Sequence, residues 1–222
     1  MKERLRIWGD SVLMGIVFDE SLNRYTILKD NCISKLKSML AFPVENHASM
    51  GCTATKALRT VESKPLTGGG LALIEFGNND CDMDWATVAG DPEADHLPKT
   101  PPTQFGGQLE ALTIHIRDAG MQPILVVPPP LFAPRYFDWV TRGLDSAAVM
   151  VFLGDVQRIY RWQELYAVAV LRTAVKLNCQ VLDIRTPFLE CKYYENLLCI
   201  DGIHPNAAGH ALMLETMKAV LC

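Results

Sequence analysis

The sequence predicts a three-layer α/β/α fold built on a parallel β-sheet. Three segments, Leu71–Gly77, Ile124–Val127 and Gln180–Ile184, are apolar almost without interruption. Strands that are covered on both faces have this pattern because neither face meets water. Helix-like stretches separate the strand-like ones, and this alternation favours right-handed crossovers between parallel strands. The chain of 222 residues has no linker-like segment, so we expect one domain over residues 1–222.

Two further strands are predicted nearer the start of the chain. Leu5–Trp8 is a short apolar run that ends at Gly9, a residue typical of turns. Val44–Asn46 follows Pro43, which restricts it to a strand start or to the edge of a sheet. The prediction is therefore a five-stranded parallel sheet.

Helical patterns fill the gaps between these strands. They are predicted over Thr53–Glu62, Thr103–Ala119, Ser146–Lys176 and Ala207–Leu221. The second helix follows two prolines and ends at Gly120, as at a C-cap. Gly154 and Asp155 predict a break in the third helix.

Composition excludes several classes of protein. Hydrophobic residues make up 49% of the chain and charged residues 21%, so the chain can bury a core and is not disordered. A net charge of −4 is not the basic footprint of a nucleic-acid binder. No apolar run approaches the ~20 residues that span a bilayer. The first residues lack an apolar stretch of signal-peptide length, so we expect a cytoplasmic protein and leave a homo-oligomer open.

The sequence contains no pattern that indicates a metal or a cofactor. Its seven cysteines are odd in number and no two are spaced as CxxC, so we expect neither a disulfide framework nor a structural zinc site. The acidic stretch Asp91–His96 lacks the ligand order of a calcium loop. No GxGxxG opens a helix, so dinucleotide binding has no support.

Two stretches fall outside the alternating pattern. Ala89–Pro102 is polar and rich in proline, which predicts a loop. Pro128–Gly143 contains several prolines and aromatic residues and directly follows a predicted strand. Ligands of open parallel sheets bind at the carboxyl ends of the strands. We therefore expect Tyr136 and Trp139 of this insertion, together with Trp85, to form the walls of a pocket.

Polar segments follow the first two strands. Gly9–Ser11 places Ser11 at the carboxyl end of the sheet and at the start of a helix, whose unpaired N–H groups suit a reaction that develops an oxyanion. On its own the segment is more typical of an N-cap. Asn46–Gly51 follows the second strand, and Gly51 lets a backbone N–H approach a ligand closely. On its own this segment is typical of a loop.

Two more polar segments complete a possible site. Gly77–Asp80 ends the third strand, and its asparagines are neutral donors suited to an oxyanion, although Asn and Asp also favour turns. Asp201–Pro205 precedes the last helix. His204 is the residue type of a general base, and Asp201 can orient it, although alone this segment is typical of an exposed turn. Together the four segments supply a nucleophile, a base, an orienting acid and oxyanion donors.

In these blocks the sequence resembles the SGNH/GDSL esterase family, which is named for its serine, glycine, asparagine and histidine. The blocks appear in order as Gly-Asp-Ser at 9–11, Asn-x-Ala-x-x-Gly at 46–51, Gly-Asn-Asn-Asp at 77–80 and Asp-Gly-Ile-His-Pro at 201–205. Val12 and Ala48 depart from the family's usual leucine and glycine, and neither change removes a reactive group. A classical α/β-hydrolase fits less well because GxSxG is absent.

The resemblance implies a flavodoxin-like fold and a role for each reactive residue. Ser11 is then the nucleophile, His204 the base and Asp201 its orienting acid. The implied oxyanion hole consists of the backbone N–H groups of Ser11 and Gly51 and the side chain of Asn79.

The implied activity is that of a serine esterase that cleaves small or medium acyl esters through an acyl-enzyme. An O-acetyl ester of a carbohydrate is the first candidate substrate. A thioesterase, a lysophospholipase or an acyltransferase of the same family stays open. From other classes, a non-catalytic ligand-binding module would lack one of the reactive side chains, and a flavin-binding protein would absorb visible light. Substrate contacts are expected from Asp10, His47, Trp85, Tyr136 and Trp139.

Overall fold

A computed structural model of the protein describes residues 4–63, Leu66 and residues 68–222. In this part of the chain the strands are β1 (Leu5–Trp8), β2 (Ile16–Asp19), β3 (Arg24–Ile27), β4 (Val44–Asn46), β5 (Gly70–Glu75), β6 (Met121–Val127) and β7 (Gln180–Asp183). The helices are α1 (Ser11–Met14), α2 (Cys32–Met39), α3 (Ala54–Glu62), α4 (Trp85–Gly90), α5 (Pro102–Asp118), α6 (Ala133–Val140), α7 (Ser146–Leu153), α8 (Gln157–Lys176), α9 (Arg185–Glu190) and α10 (Ala207–Leu221).

Five strands form one parallel sheet in the order β4-β1-β5-β6-β7. Counted within the sheet, this order is 2-1-3-4-5, which is that of flavodoxin-like folds. The five predicted strands and the α/β class are confirmed. The order reverses between β1 and β5, and ligands of such sheets bind at this position, beyond the carboxyl ends of the strands.

Helices cover both faces of the sheet, which gives the three predicted layers. Leu71 and Leu73 of β5 face a core formed with α1, α2, α9 and α10. Ala72 and Ile74 face the opposite core, formed with α3, α5 and α8. Successive residues of a strand point to opposite faces, so an uninterrupted apolar run supplies both cores at once.

Several elements differ from the predictions. An antiparallel hairpin of β2 and β3 and the helix α2 occupy the stretch between the first two sheet strands, where no element was predicted. The insertion at 128–143 contains α6, and the predicted loop at 89–102 overlaps the end of α4. Gly154, with a φ of +75°, separates α7 from α8 at the predicted break. None of the described helices is long and apolar enough to cross a membrane.

Candidate active site

The tight turn after β1 presents Ser11 at the switch point of the sheet. Ser11 is the first residue of α1, and Asp10 caps this helix because its Oδ1 accepts the backbone N–H of Val12 at 2.8 Å. The short helix ends at Gly15, whose φ of +86° is a conformation that glycine adopts without strain. The segment therefore contains both features considered from the sequence: Asp10 is an N-cap, and Ser11 begins the helix at the carboxyl end of the sheet.

A chain of hydrogen bonds joins Ser11 to the loop before α10. The Ser11 Oγ lies 2.9 Å from Nε2 of His204, and Nδ1 of the same imidazole lies 2.6 Å from Oδ2 of Asp201. All three side chains are buried. Because a carboxylate only accepts hydrogen bonds, Nδ1 carries the imidazole proton and Nε2 is left to accept the hydroxyl of Ser11.

The Asp201 carboxylate is held by its own loop. Burial alone would raise the pKa of Asp201. The hydrogen bond from His204, the charge of His204 when it is protonated and the backbone hydrogen bonds of the loop together outweigh burial and lower the pKa. Oδ1 accepts the backbone N–H groups of Ile203 and His204, each at 3.1 Å. Asp201 therefore stays ionised at neutral pH and keeps the imidazole in one orientation.

Asn79 and Gly51, the other two expected oxyanion donors, follow the strands on either side of β1. Asn79 follows β5 and Gly51 follows β4. Asn79 lines the same cavity as Ser11, and its Nδ2 donates to Oδ2 of Asp10 at 3.0 Å, which leaves the second amide hydrogen available. Gly51 has a φ of +70° and is not among the residues that line this cavity. Its segment is tied to the turn by the N–H of Ser49, which donates to the Gly9 carbonyl at 3.1 Å.

Buried carboxyl groups support the nucleophile turn from below. Oε2 of Glu75 accepts the backbone N–H of Asp10, and Oε1 accepts from Nδ2 of Asn78, each at 3.3 Å. Burial, together with the nearby charge of Asp10, raises the pKa of Glu75 well above its usual value. Asp80 accepts the N–H groups of Gly77 and Ala54, and burial raises its pKa to about 6.

The cavity above Ser11 and His204 has a volume of about 180 Å³. Tyr136 and Trp139, two of the expected pocket residues, line it. Trp85 lies behind the wall, where its Nε1 donates to Asp82 at 2.8 Å.

The other two expected substrate contacts lie outside this cavity. Asp10 is fully buried beneath the turn, where its two carboxylate oxygens bind Val12 and Asn79. His47 stacks on Trp8, with ring centroids 5.3 Å apart, and lines a separate cavity of about 280 Å³. In the described ranges, no three His, Cys, Asp or Glu side chains form a group that could hold a metal ion.

Two polar residues of the cavity wall, Tyr25 and Asp82, were not expected there from the sequence. Tyr25 comes from the unpredicted β2–β3 hairpin, and its ring centroid lies 5.2 Å from that of His204. Asp82 stands two positions after the Gly77–Asp80 block. That spacing was the only available signal, because an aspartate in a polar loop is ordinarily solvated.

Helix α6 packs directly on the loop that contains Asp201 and His204. The N–H of Phe132 donates to the Gly202 carbonyl at 2.8 Å. Nη1 of Arg135 lies 2.9, 3.3 and 3.0 Å from the carbonyl oxygens of Glu195, Leu198 and Cys199. A Cβ on Gly202, whose φ is +73°, would stand 2.7 Å from the backbone nitrogen of Tyr136, so only glycine allows this close approach.

Comparisons with known proteins show the family of the chain and solved structures of similar fold. The profile of a family described as GDSL-like lipase/acylhydrolase matches residues 9–212. A lipase/acylhydrolase from Enterococcus faecalis has a similar solved structure, with a TM-score of 0.66 and 18% identity, over 97% of this chain and 93% of that one. An acetylxylan esterase from Geobacillus stearothermophilus has a TM-score of 0.63 and 18% identity, over 99% and 95% of the two chains.

A third similar structure is the psychrotrophic esterase from Pseudoalteromonas sp., with a TM-score of 0.60 and 16% identity, over 98% of this chain and 95% of that one. At such identities the likeness concerns the fold. No curated protein sequence matches the chain significantly.

Proposed function

The chain belongs to the GDSL-like lipase/acylhydrolase family, and from this premise we propose that it cleaves short acyl esters with Ser11 as nucleophile, His204 as general base and Asp201 as the orienting acid. The chain is a carboxylic ester hydrolase. The observation that supports the assignment of roles is the continuous hydrogen-bonded chain, 2.9 Å from serine to imidazole and 2.6 Å from imidazole to carboxylate. We take the whole chain as one catalytic domain.

In the first half of the reaction, the Ser11 oxygen attacks the ester carbonyl as Nε2 of His204 takes the hydroxyl proton. The imidazolium that forms is stabilised by the Asp201 carboxylate, which keeps its negative charge because its pKa is lowered. The tetrahedral intermediate then collapses. The C–O bond to the alcohol breaks, and the alcohol leaves with the proton from Nε2.

The oxyanion of this intermediate needs donors that are already in place. We assign this role to the backbone N–H of Ser11 and to the free amide hydrogen of Asn79, which line the cavity. The family resemblance alone adds the backbone N–H of Gly51, which does not line it. The bond from Nδ2 of Asn79 to Asp10 fixes the amide plane before the substrate arrives. Donors that are fixed in advance cost no reorganisation in the transition state.

Water completes the cycle by the same route in reverse. His204 takes a proton from water, the hydroxide adds to the acyl carbonyl, and the serine oxygen leaves with that proton. The carboxylic acid product then departs, and the hydrogen-bonded chain is restored.

The size of the cavity favours a short acyl group. Its volume of about 180 Å³ is well below the ~300–1,000 Å³ typical of sites that enclose drug-sized ligands. The lining combines aromatic rings with polar side chains, which suits an acetyl ester of a carbohydrate better than a long alkyl chain. The similar solved structures include acetylxylan esterases, which agrees with this choice.

Hydrolysis of p-nitrophenyl esters from acetate to palmitate tests the proposal. We expect kcat/KM of the wild type to fall steeply beyond butyrate. Ser11→Ala should lower kcat by about 10⁴-fold or more, because the nucleophile and its base act as a unit. Ser49→Ala is the matched control, since Ser49 is exposed and lines the other cavity. Equal rates for Ser11→Ala and the wild type would refute the nucleophile, and a maximum at long chains would refute the acyl size.

A further inference from the structure

One charged side chain, Asp82, lies in the cavity wall outside the hydrogen-bonded triad. Apart from Asp82 and His204, the residues that line the cavity are aromatic, aliphatic or uncharged polar ones. This set contains no lysine or arginine. Such a lining offers no cationic side chain to bind a phosphate or a carboxylate on the ligand.

The Asp82 carboxylate is held firmly in position. Its Oδ1 accepts from Nε1 of Trp85 at 2.8 Å and from the hydroxyl of Tyr136 at 2.7 Å. Its Oδ2 accepts from Nζ of Lys99 at 2.6 Å, and the side chain is 16% exposed. Each carboxylate oxygen can accept two hydrogen bonds. Oδ1 is therefore filled by these partners, and Oδ2 retains capacity for one more donor.

Tyr136, like Asp82, offers the cavity a hydrogen-bond acceptor. Its hydroxyl hydrogen is used in the bond to Oδ1, and the N–H of Trp85 also faces the oxygen, so the oxygen retains one lone pair as an acceptor. Burial, with the charge of Asp82, raises the pKa of Tyr136 well above its usual value, and the hydroxyl therefore keeps its hydrogen. Both polar groups on this part of the wall thus accept hydrogen bonds, and they pair best with a ligand that donates one.

We propose that Asp82 and Tyr136 form a subsite for a free hydroxyl group beside the ester, so that the substrate is the short acyl ester of a neutral sugar or another polyol. This inference rests on the proposed function, because it places the hydroxyl in the alcohol part of an ester attacked by Ser11. An acetyl group has no donor of its own, so the donor must come from the alcohol.

Two acetate esters of matched ring size test the subsite. The first is a methyl pentopyranoside that carries one acetyl group and two free hydroxyls, and the second is cyclohexyl acetate, which has no hydroxyl. In Asp82→Asn we expect kcat/KM for the sugar ester to fall about 10- to 100-fold, the range for losing a hydrogen bond to a charged group. For cyclohexyl acetate we expect a change of less than about threefold.

Two further variants separate recognition from structure. Tyr136→Phe removes the second acceptor while keeping the ring, and it should lower kcat/KM for the sugar ester alone. Lys99→Met removes the half-exposed partner of Oδ2 and leaves both acceptors, so the preference for the sugar ester should persist. Tyr136→Phe also serves if Asp82→Asn does not fold.

The outcomes distinguish this inference from the function on which it rests. A parallel loss on both esters, or an unchanged preference in both Asp82→Asn and Tyr136→Phe, would overturn the subsite and leave the esterase in place. Hydrolysis of neither ester by the wild type, or equal hydrolysis by Ser11→Ala, would overturn the proposed function and the subsite with it.

Discussion

The two halves of the site, the nucleophile turn and the acid–base loop, are held in place by different parts of the molecule. The turn at Gly9–Ser11 and the segment with Asn79 follow the adjacent strands β1 and β5. The carboxylate of Asp10 joins them, because it caps Ser11's helix and accepts from Asn79. This half is therefore positioned by the order of strands in the sheet and by hydrogen bonds beneath its edge.

The acid–base loop depends instead on an element outside the sheet. Helix α6 contacts the loop through Phe132 and Arg135, and it packs closely on Gly202. The same helix contributes Tyr136 and Trp139 to the cavity wall. The inserted segment at 128–143 thus forms part of the cavity wall and also holds the loop of the general base. The nucleophile, in contrast, is positioned by the parallel sheet itself.

Asn79→Ala tests the oxyanion donor of the nucleophile half and has the largest expected effect after Ser11→Ala. Loss of one oxyanion donor should lower kcat by about 10²–10³-fold, or about 3 kcal/mol of barrier. KM for p-nitrophenyl acetate should change little, because the donor acts on charge that develops after binding. Steady-state kinetics together with the thermal unfolding midpoint check the result. A folded variant with unchanged kcat would exclude Asn79 from the oxyanion hole.

The halves also differ in how their buried groups respond to pH. Burial raises the pKa of Asp80 to about 6, above the 3.8 of an exposed aspartate, so its stabilising contribution is lost as pH rises through 6. Burial, followed by the charge of His204, lowers the pKa of His210 to about 4, below the usual 6.5, so its contribution is lost as pH falls through 4. At ~1.4 kcal/mol per pKa unit, each contribution is about 3 kcal/mol.

Between pH 4.5 and 6.0 these two contributions oppose each other in the wild type. In Asp80→Asn the histidine acts alone, and the free energy of unfolding should rise by about 2 kcal/mol across this range relative to the wild type. In His210→Gln it should fall by about 2 kcal/mol across the same range. Urea denaturation at several pH values measures both slopes. Slopes of the same sign in the two variants would contradict the assignment of opposite shifts.

Much of the nucleophile half could be predicted from the sequence, because each of its blocks directly follows a strand that is recognisable by its apolar run. The five sheet strands and the α/β class were confirmed for the same reason. The hairpin with Tyr25 could not be predicted, since its strands are four residues each and mostly half-exposed, without a run of buried positions. The place of Asp82 in the cavity wall could not be predicted either. It is held there by Tyr136, Trp85 and Lys99, which come together with it only in the folded protein.

Asp201 and His204 were expected from the sequence, but the way Arg135 supports their loop was not. Its guanidinium donates to three backbone carbonyls that lie 60 to 64 positions later in the chain. Every residue type has a backbone carbonyl, so no side-chain pattern in the sequence marks such a partner. The contact therefore becomes visible only when α6 and the loop are seen packed together.

Arg135→Met tests this contact and has the smallest expected effect of the set. The variant keeps an apolar stem but releases three carbonyls of the segment that leads into Asp201, so the imidazole should be aligned less often for proton transfer. We expect kcat to fall about tenfold, or ~1.4 kcal/mol of barrier, with KM within about twofold. Arg142→Met is the control, because Arg142 is an arginine of the same inserted segment that contacts a ring instead of the backbone before Asp201. It lies over Trp139, 3.6 Å from the ring centroid. A loss of thermal stability with kcat unchanged would mean that α6 only covers the loop, whereas a fall in kcat specific to Arg135→Met would mean that the insertion positions the base.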